Sequence, residues 1–141
     1  MKSQLNQQKI IIDATNAPLG RLASYAAKQS LLGKSIIIVN CDNAIISGRR
    51  TSVIEDYQEA RKRGGSSLKG PHFPKEPFRI VKRTVRGMLP YKQGRGRIAF
   101  KKVICYDEIP QEYEQVEKIS LAKKFKIKTI ELNELSRRIW R

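Results

Sequence analysis

Acidic residues are scarce: 13 Asp and Glu stand against 29 Lys and Arg in 141 residues, a formal net charge of +16. Such an excess repels itself unless a polyanion neutralises it, and nucleic acid is the polyanion that fits. Long apolar runs are also missing. The longest, Ile10-Ile11-Ile12 and Ile36-Ile37-Ile38-Val39, are strand-sized, far below the roughly 20 residues of a membrane-spanning helix, so no membrane partner is expected. Ser3, Gln4, Asn6, Gln7 and Gln8 occupy the place where a secretory signal would be apolar, and the expectation is a cytoplasmic protein. Two cysteines and the single His72 do not supply four ligands at zinc-site spacing, so neither a metal nor a cofactor is expected. Cys41 and Cys105 each adjoin an apolar run and read as small buried hydrophobes, with a disulfide disfavoured.

What is present fits one domain of residues 1–141, long enough for one core but not two. Residues 9–13 form a continuous apolar run, the pattern of a strand buried on both faces. Thr15 or Asn16 can cap the helix that follows, and Pro18 suits its first turn. An alanine-rich stripe of Leu19, Leu22, Ala23, Ala26, Ala27 and Leu31 predicts a helix over 19–32, stopped by Gly33. A second buried strand at 35–40 completes a βαβ unit. Ile45-Ile46-Ser47 is another short apolar piece, and Thr51 or Ser52 can cap a second helix over 53–62, ended by Gly64-Gly65-Ser66-Ser67. Prolines and glycines make the chain a loop from there to Lys75. A third helix is predicted over 77–89, then a glycine-interrupted stretch at 92–97, a helical turn or two over 98–101 and a strand over 103–106. The tail from 111 to 128 has no clear pattern. Residues 129–132 read as a short edge strand, and Asn133 can cap a last helix through Trp140.

The charge is not evenly spread. Residues 61–102 hold Arg61, Lys62, Arg63, Lys69, Lys75, Arg79, Lys82, Arg83, Arg86, Lys92, Arg95, Arg97, Lys101 and Lys102 against Glu76 alone, which places +13 of the +16 there. Arg79, Lys82, Arg83 and Arg86 fall at i, i+3, i+4 and i+7, one face of a helix, with Phe78, Val81, Val85 and Met88 opposite. A charged face kept only for solubility interleaves Glu with Lys, whereas unrelieved like charges at these spacings cost a few tenths of a kcal/mol per pair. These residues, with the other basic residues of 61–102, are therefore candidate nucleic-acid contacts. Glycines in Gly94-Arg95-Gly96-Arg97 suggest a flexible segment that approaches phosphates closely. Phe73, Tyr91 and His72 offer flat faces, either for stacking on bases or for closing the loop onto the domain.

An enzyme finds little support. The turn over 13–21 lacks G-x-G-x-x-G spacing, and G-x-x-x-x-G-K-[ST] is absent from the chain, which counts against a nucleotide site there. Asp13 and Asp42 end predicted strands, where α/β enzymes keep catalytic groups, but capping and loop anchoring explain them better. Cys41 has no histidine near it to act as a base. A nucleotide-binding α/β enzyme using the first turn, and a non-specific DNA-packaging protein, are the alternative readings.

Ile12-Asp13-Ala14-Thr15-Asn16-Ala17-Pro18-Leu19-Gly20-Arg21-Leu22-Ala23-Ser24, then Leu32-Gly33-Lys34 and Val39-Asn40-Cys41-Asp42-Asn43-Ala44, resemble the opening of the large-subunit ribosomal protein thirteen family. Arg83-Thr84-Val85-Arg86-Gly87-Met88-Leu89-Pro90-Tyr91-Lys92, with Gly94-Arg95-Gly96 after it, resembles that family's signature around its basic helix. The likeness runs over about residues 9–110 and fades in the tail over 111–141. Asn40-Cys41-Asp42 and Gly70-Pro71-His72-Phe73 look more like archaeal and eukaryotic members. The resemblance implies a single three-layer α/β/α domain on a mainly parallel sheet, with a basic helix-loop extension. It implies a non-catalytic ribosomal protein that binds large-subunit ribosomal RNA early in assembly beside neighbouring large-subunit proteins, with no small-molecule substrate. Arg83, Arg86, Lys92 and Arg95 match positions implied to contact RNA, while Asp13 and Asn16 hold their turn together.

Overall fold

The computed structural model describes residues 8–63, 70 and 72–139. Four strands, β1 (Lys9–Asp13), β2 (Ser35–Val39), β4 (Val103–Cys105) and β5 (Ile119–Ser120), form a sheet in the order β4-β2-β1-β5, parallel throughout. Ile10 pairs with Ile36 and Ile12 with Ile38 in the central ladder. β-Branched side chains pack well on both faces of such a pleated surface. β3 (Ile45–Ser47) and β6 (Thr129–Glu131) make a separate antiparallel pair. The α/β class and the parallel βαβ opening agree with the sequence.

On one face, Ile12, Ile36, Ile38 and Val103 meet Leu22, Ala23 and Ala26 of α1 (Leu19–Leu31). α3 (Pro77–Gly87) adds Val81 and Val85, and α4 (Gly94–Lys101) adds Ala99. Alanines on α1 let these neighbouring helices come close. The opposite face, Ile11, Ile37 and Val39, is covered by Ile109 and by Tyr113 of the 3-10 turn Gln111–Tyr113, so the third layer is thin. α2 (Arg50–Lys62) packs against α5 (Leu132–Ile139), whose Leu132, Leu135 and Ile139 join the main core. Among the described residues no helix is long and apolar enough to cross a membrane.

Several local expectations differ from the structure. The residue before α1 is Pro18 and the residue before α2 is Arg49, neither with a side-chain cap. Thr15 instead donates its N–H and its hydroxyl to Asp13 Oδ1, at 3.0 and 2.7 Å, so its oxygen is committed to the turn. Thr51 and Ser52 lie inside α2 because helical geometry begins at Arg50. Asn133 is likewise inside α5, whose first residue, Leu132, is bound through its N–H to the Ala44 carbonyl at 2.9 Å. Gly33 does end α1 region geometry with φ 92°, a conformation glycine adopts without a Cβ penalty. α3 stops at Gly87, so Met88 leaves the apolar face and is exposed, and Ile80 takes the buried place beside Val81. Gly64 to Ser67 and Trp140 lie outside the described residues.

The largest difference is at 94–97, where the helix expected only over 98–101 already begins at Gly94 in place of a flexible stretch. Gly96 is buried, and a Cβ there would overlap the Pro90 carbonyl and lie 2.9 Å from the Tyr91 nitrogen. This glycine serves helix packing against the 88–91 turn. It is not a device for backbone mobility.

Candidate nucleic-acid interface

α3 can display charge because its other side is fixed. Pro77 opens it with φ preset for a helix, and the Phe78 N–H donates to Asp107 Oδ1 at 2.8 Å, satisfying a donor that the helix start leaves free. Pro77, Ile80, Val81 and Val85 are buried. The 3.6-residue period then places Arg79, Lys82, Arg83 and Arg86 together on the other side.

Each of these four cations lies over an aromatic ring. The Arg83 guanidinium carbon is 4.1 Å from the Phe73 ring centre, and its Nη1 donates to the His72 carbonyl at 2.8 Å. The Lys82 ammonium is 5.2 Å from the centre of Phe100, Arg86 is 5.1 Å from that of Tyr91 and Arg79 is 5.7 Å from that of Phe78. Attraction of this kind contributes about 0.5–1 kcal/mol at exposed sites. The four side chains, with His72, Phe73, Pro74 and Phe100, border a groove of about 340 Å³. Acid is nearly absent from it: Arg79 meets Glu76 at 3.9 Å, and no other ion pair involves these four among the described residues. Phe73 and Tyr91 thus lie under Arg83 and Arg86 at this surface.

The other sequence candidates divide. Lys92, Arg95 and Arg97 are exposed on the turn and on α4, next to the same helix, with Arg97 Nε donating to the Tyr91 carbonyl at 3.3 Å. Lys101 is exposed at the end of α4, His72 is exposed at the groove, and Lys75 is half-buried on the approach to α3. Three residues have partners within the protein. Arg61 Nη1 donates to the Ile139 carbonyl at 3.0 Å, tying α2 to α5, and Lys102 Nζ reaches the Gly33 carbonyl at 3.3 Å. Arg63 pairs with Glu59 at 3.5 Å. Lys62 is exposed at the end of α2, and Lys69 lies outside the described residues. Phe100 was not among the candidates. Its partner Lys82 is distant in sequence, and the two side chains meet because α3 and α4 both pack on α1.

The candidate catalytic groups are accounted for by structure. Asp13 accepts from Asn40 Nδ2 at 3.0 Å as well as from Thr15. Burial works against its charge, but these hydrogen bonds and the nearby Lys118 outweigh it and hold the carboxyl below its ordinary value. Asn16 and Asn40 take left-handed backbone, φ 55° and 58°, which asparagine tolerates. Burial, then the neighbouring Asp107 and Glu108, push the Asp42 carboxyl up. The Cys41 thiol is buried, and its hydrogen-bonded neighbour Cys105 together with desolvation pushes its pKa far up, away from a reactive thiolate. No group of three or more His, Cys, Asp or Glu that could hold a metal occurs among the described residues.

Residues 7–112 match the family model described as Ribosomal protein L13. The chain is 50% identical over 113 residues to the large ribosomal subunit protein uL13 of Methanosarcina barkeri, covering 79% of this chain and 80% of the relative. It is 44% identical over 133 residues to that of Archaeoglobus fulgidus, covering 90% and 85%. For that of Methanocaldococcus jannaschii the identity is 44% over 132 residues, covering 92% and 96%. These three relatives are archaeal, and the family is a structural one without enzymatic activity. The chain belongs to the ribosomal protein L13 family.

Proposed function

We propose that this protein, a structural component of the large ribosomal subunit, binds large-subunit ribosomal RNA through the outward face of α3 and supports assembly of the subunit in the cytoplasm. The observation that carries the reading is the α3 face itself: Arg79, Lys82, Arg83 and Arg86 on one side of a helix, each over a ring. Lys92, Arg95, Arg97 and Lys101 extend that surface, and Lys62 and Lys75 flank it. Phosphate contacts of this kind fix position and orientation without reading base sequence. The rings reduce the freedom each cation would otherwise lose on binding. Neighbouring large-subunit proteins are the other partners in this reading.

The test is incorporation. A tagged variant carrying Arg79→Gln, Lys82→Gln, Arg83→Gln and Arg86→Gln should fold as the parent does, since none of the four is buried, yet co-sediment poorly with large subunits. Incorporation at the parent's level would remove α3 from the interface.

A further inference from the structure

A second basic surface lies beyond residue 112, where the family match ends. Residues 121–128 contain Lys123, Lys124, Lys126 and Lys128 and no Asp or Glu. All four lysines are exposed, and among the described residues none forms an ion pair with a carboxylate. This segment is a strap tied at intervals. Ile119 and Ser120, just before it, pair with Ile12 and Asp13. The Lys123 N–H donates to the Asn16 carbonyl at 3.1 Å, and the Gly48 N–H donates to the Lys128 carbonyl at 2.9 Å. Phe125 is half-buried, with the Lys123 ammonium 5.8 Å from its ring centre. The backbone carrying the lysines is therefore tied to the domain at Lys123 and Lys128, and such anchoring lowers the entropic cost of binding.

Lys123, Lys124 and Arg50 border a hollow of about 840 Å³. Of the two carboxylates there, Glu134 is engaged by Arg50 at 3.2 Å. Glu131 remains, one acid against Lys123 and Lys124. A surface kept charged for solubility alone would mix its signs. Lysine is a compact point charge on a flexible stem and suits phosphate contact without geometric demands. The sheet order sets β4, beside α3, at one edge and β5, where the strap begins, at the other. Three strand spacings, roughly 14 Å, separate those edges.

We infer that the 121–128 strap is a second phosphate-binding surface, occupied by an RNA segment distinct from the one on α3, so that the protein bridges two segments of the RNA. The choice of RNA as occupant rests on the RNA-binding reading above. The position and charge of the strap do not.

The test uses the full chain and two pools of fragmented large-subunit ribosomal RNA, one immobilised and one fluorescent. The parent protein should bring fluorescent RNA to the immobilised pool. A variant with Lys123→Gln, Lys124→Gln and Lys126→Gln, with an unchanged melting curve, should still bind immobilised RNA but lose the capture, and its salt slope should shrink by about 2 to 3. Capture equal to the parent's, or no capture by the parent, overturns the inference. Amine acylation of the parent protein gives an independent readout: bound RNA should shield Lys123 and Lys124, and equal labelling in the free and bound states overturns it without any variant. The α3 variant keeps the two claims apart, because undiminished RNA binding by that variant counts against α3 alone. A strap serving an acidic protein surface would leave every RNA measurement unchanged in the strap variant.

Discussion

Arg83 lies over Phe73, 4.1 Å from guanidinium carbon to ring centre, and is tied by Nη1 to the carbonyl of the adjacent His72. One ring and one backbone oxygen thus fix the direction of a cation on an exposed helix. If this contact matters for binding, the two side chains must be energetically coupled. Phe73→Ala should weaken RNA binding by about 2- to 5-fold, the equivalent of about 0.5–1 kcal/mol. In an Arg83→Gln background the same change should do almost nothing. Equal losses in both backgrounds would show that Phe73 acts independently, for instance by stacking on a base. A double-mutant cycle on RNA affinity reads the difference.

The glycines of the chain are not alike. Gly96→Ala should destabilise the fold by about 1–3 kcal/mol, as overpacking does, because the added methyl meets the Pro90 carbonyl. Gly20→Ala, in the first turn of α1 with open space around it, should be neutral or stabilise by up to about 1 kcal/mol. Denaturant unfolding of the two variants should therefore shift in opposite directions, or in only one of them.

Two carboxylates should give pH dependences of opposite sign. The Asp13 carboxyl is held below its ordinary value of 3.8 by the hydrogen bonds that outweigh its burial. It therefore stabilises the fold above that value, and this is lost as pH falls through the folded value. Asp13→Asn should lower stability at pH 7 by about 1 kcal/mol, the difference between hydrogen bonds to a charged and a neutral acceptor, and the gap should narrow below pH 3.8. Asp42 is raised, by burial first and then by Asp107 and Glu108. Its favourable contribution is present below 3.8 and lost as pH rises through the folded value, so Asp42→Asn should raise the melting temperature at pH 7 and have no effect at strongly acid pH. Thermal melts across pH 2–7 would check both signs.

How much of this was legible in the sequence depends on where the determinant lies. β1, α1 and β2 follow from unbroken isoleucine runs and an alanine stripe, signals contained within each segment, and their boundaries came within a residue. α4 was not legible. Its Gly-Arg-Gly-Arg start has poor helix propensity, and the need for a glycine at 96, set by the close approach of the Pro90 carbonyl, is visible only in three dimensions. β5 is two residues long and exists because Ile12 and Asp13 offer a free edge. At the interface the charge cluster and its helical face were readable from spacing alone. The pairing of Lys82 with Phe100 was not, since it depends on how α3 and α4 each pack on α1. For Arg61 and Lys102 charge counting could not show their protein partners: both are bound to backbone carbonyls of other elements.

The most direct test of the α3 interface is the slope of log affinity against log salt for large-subunit ribosomal RNA. Each phosphate contact contributes about 0.7 to 0.9 to that slope. The combined Arg79→Gln, Lys82→Gln, Arg83→Gln and Arg86→Gln variant should therefore lose about 3 units of slope relative to the parent while keeping its melting temperature. An unchanged slope would contradict the assignment of α3 as a phosphate-binding face.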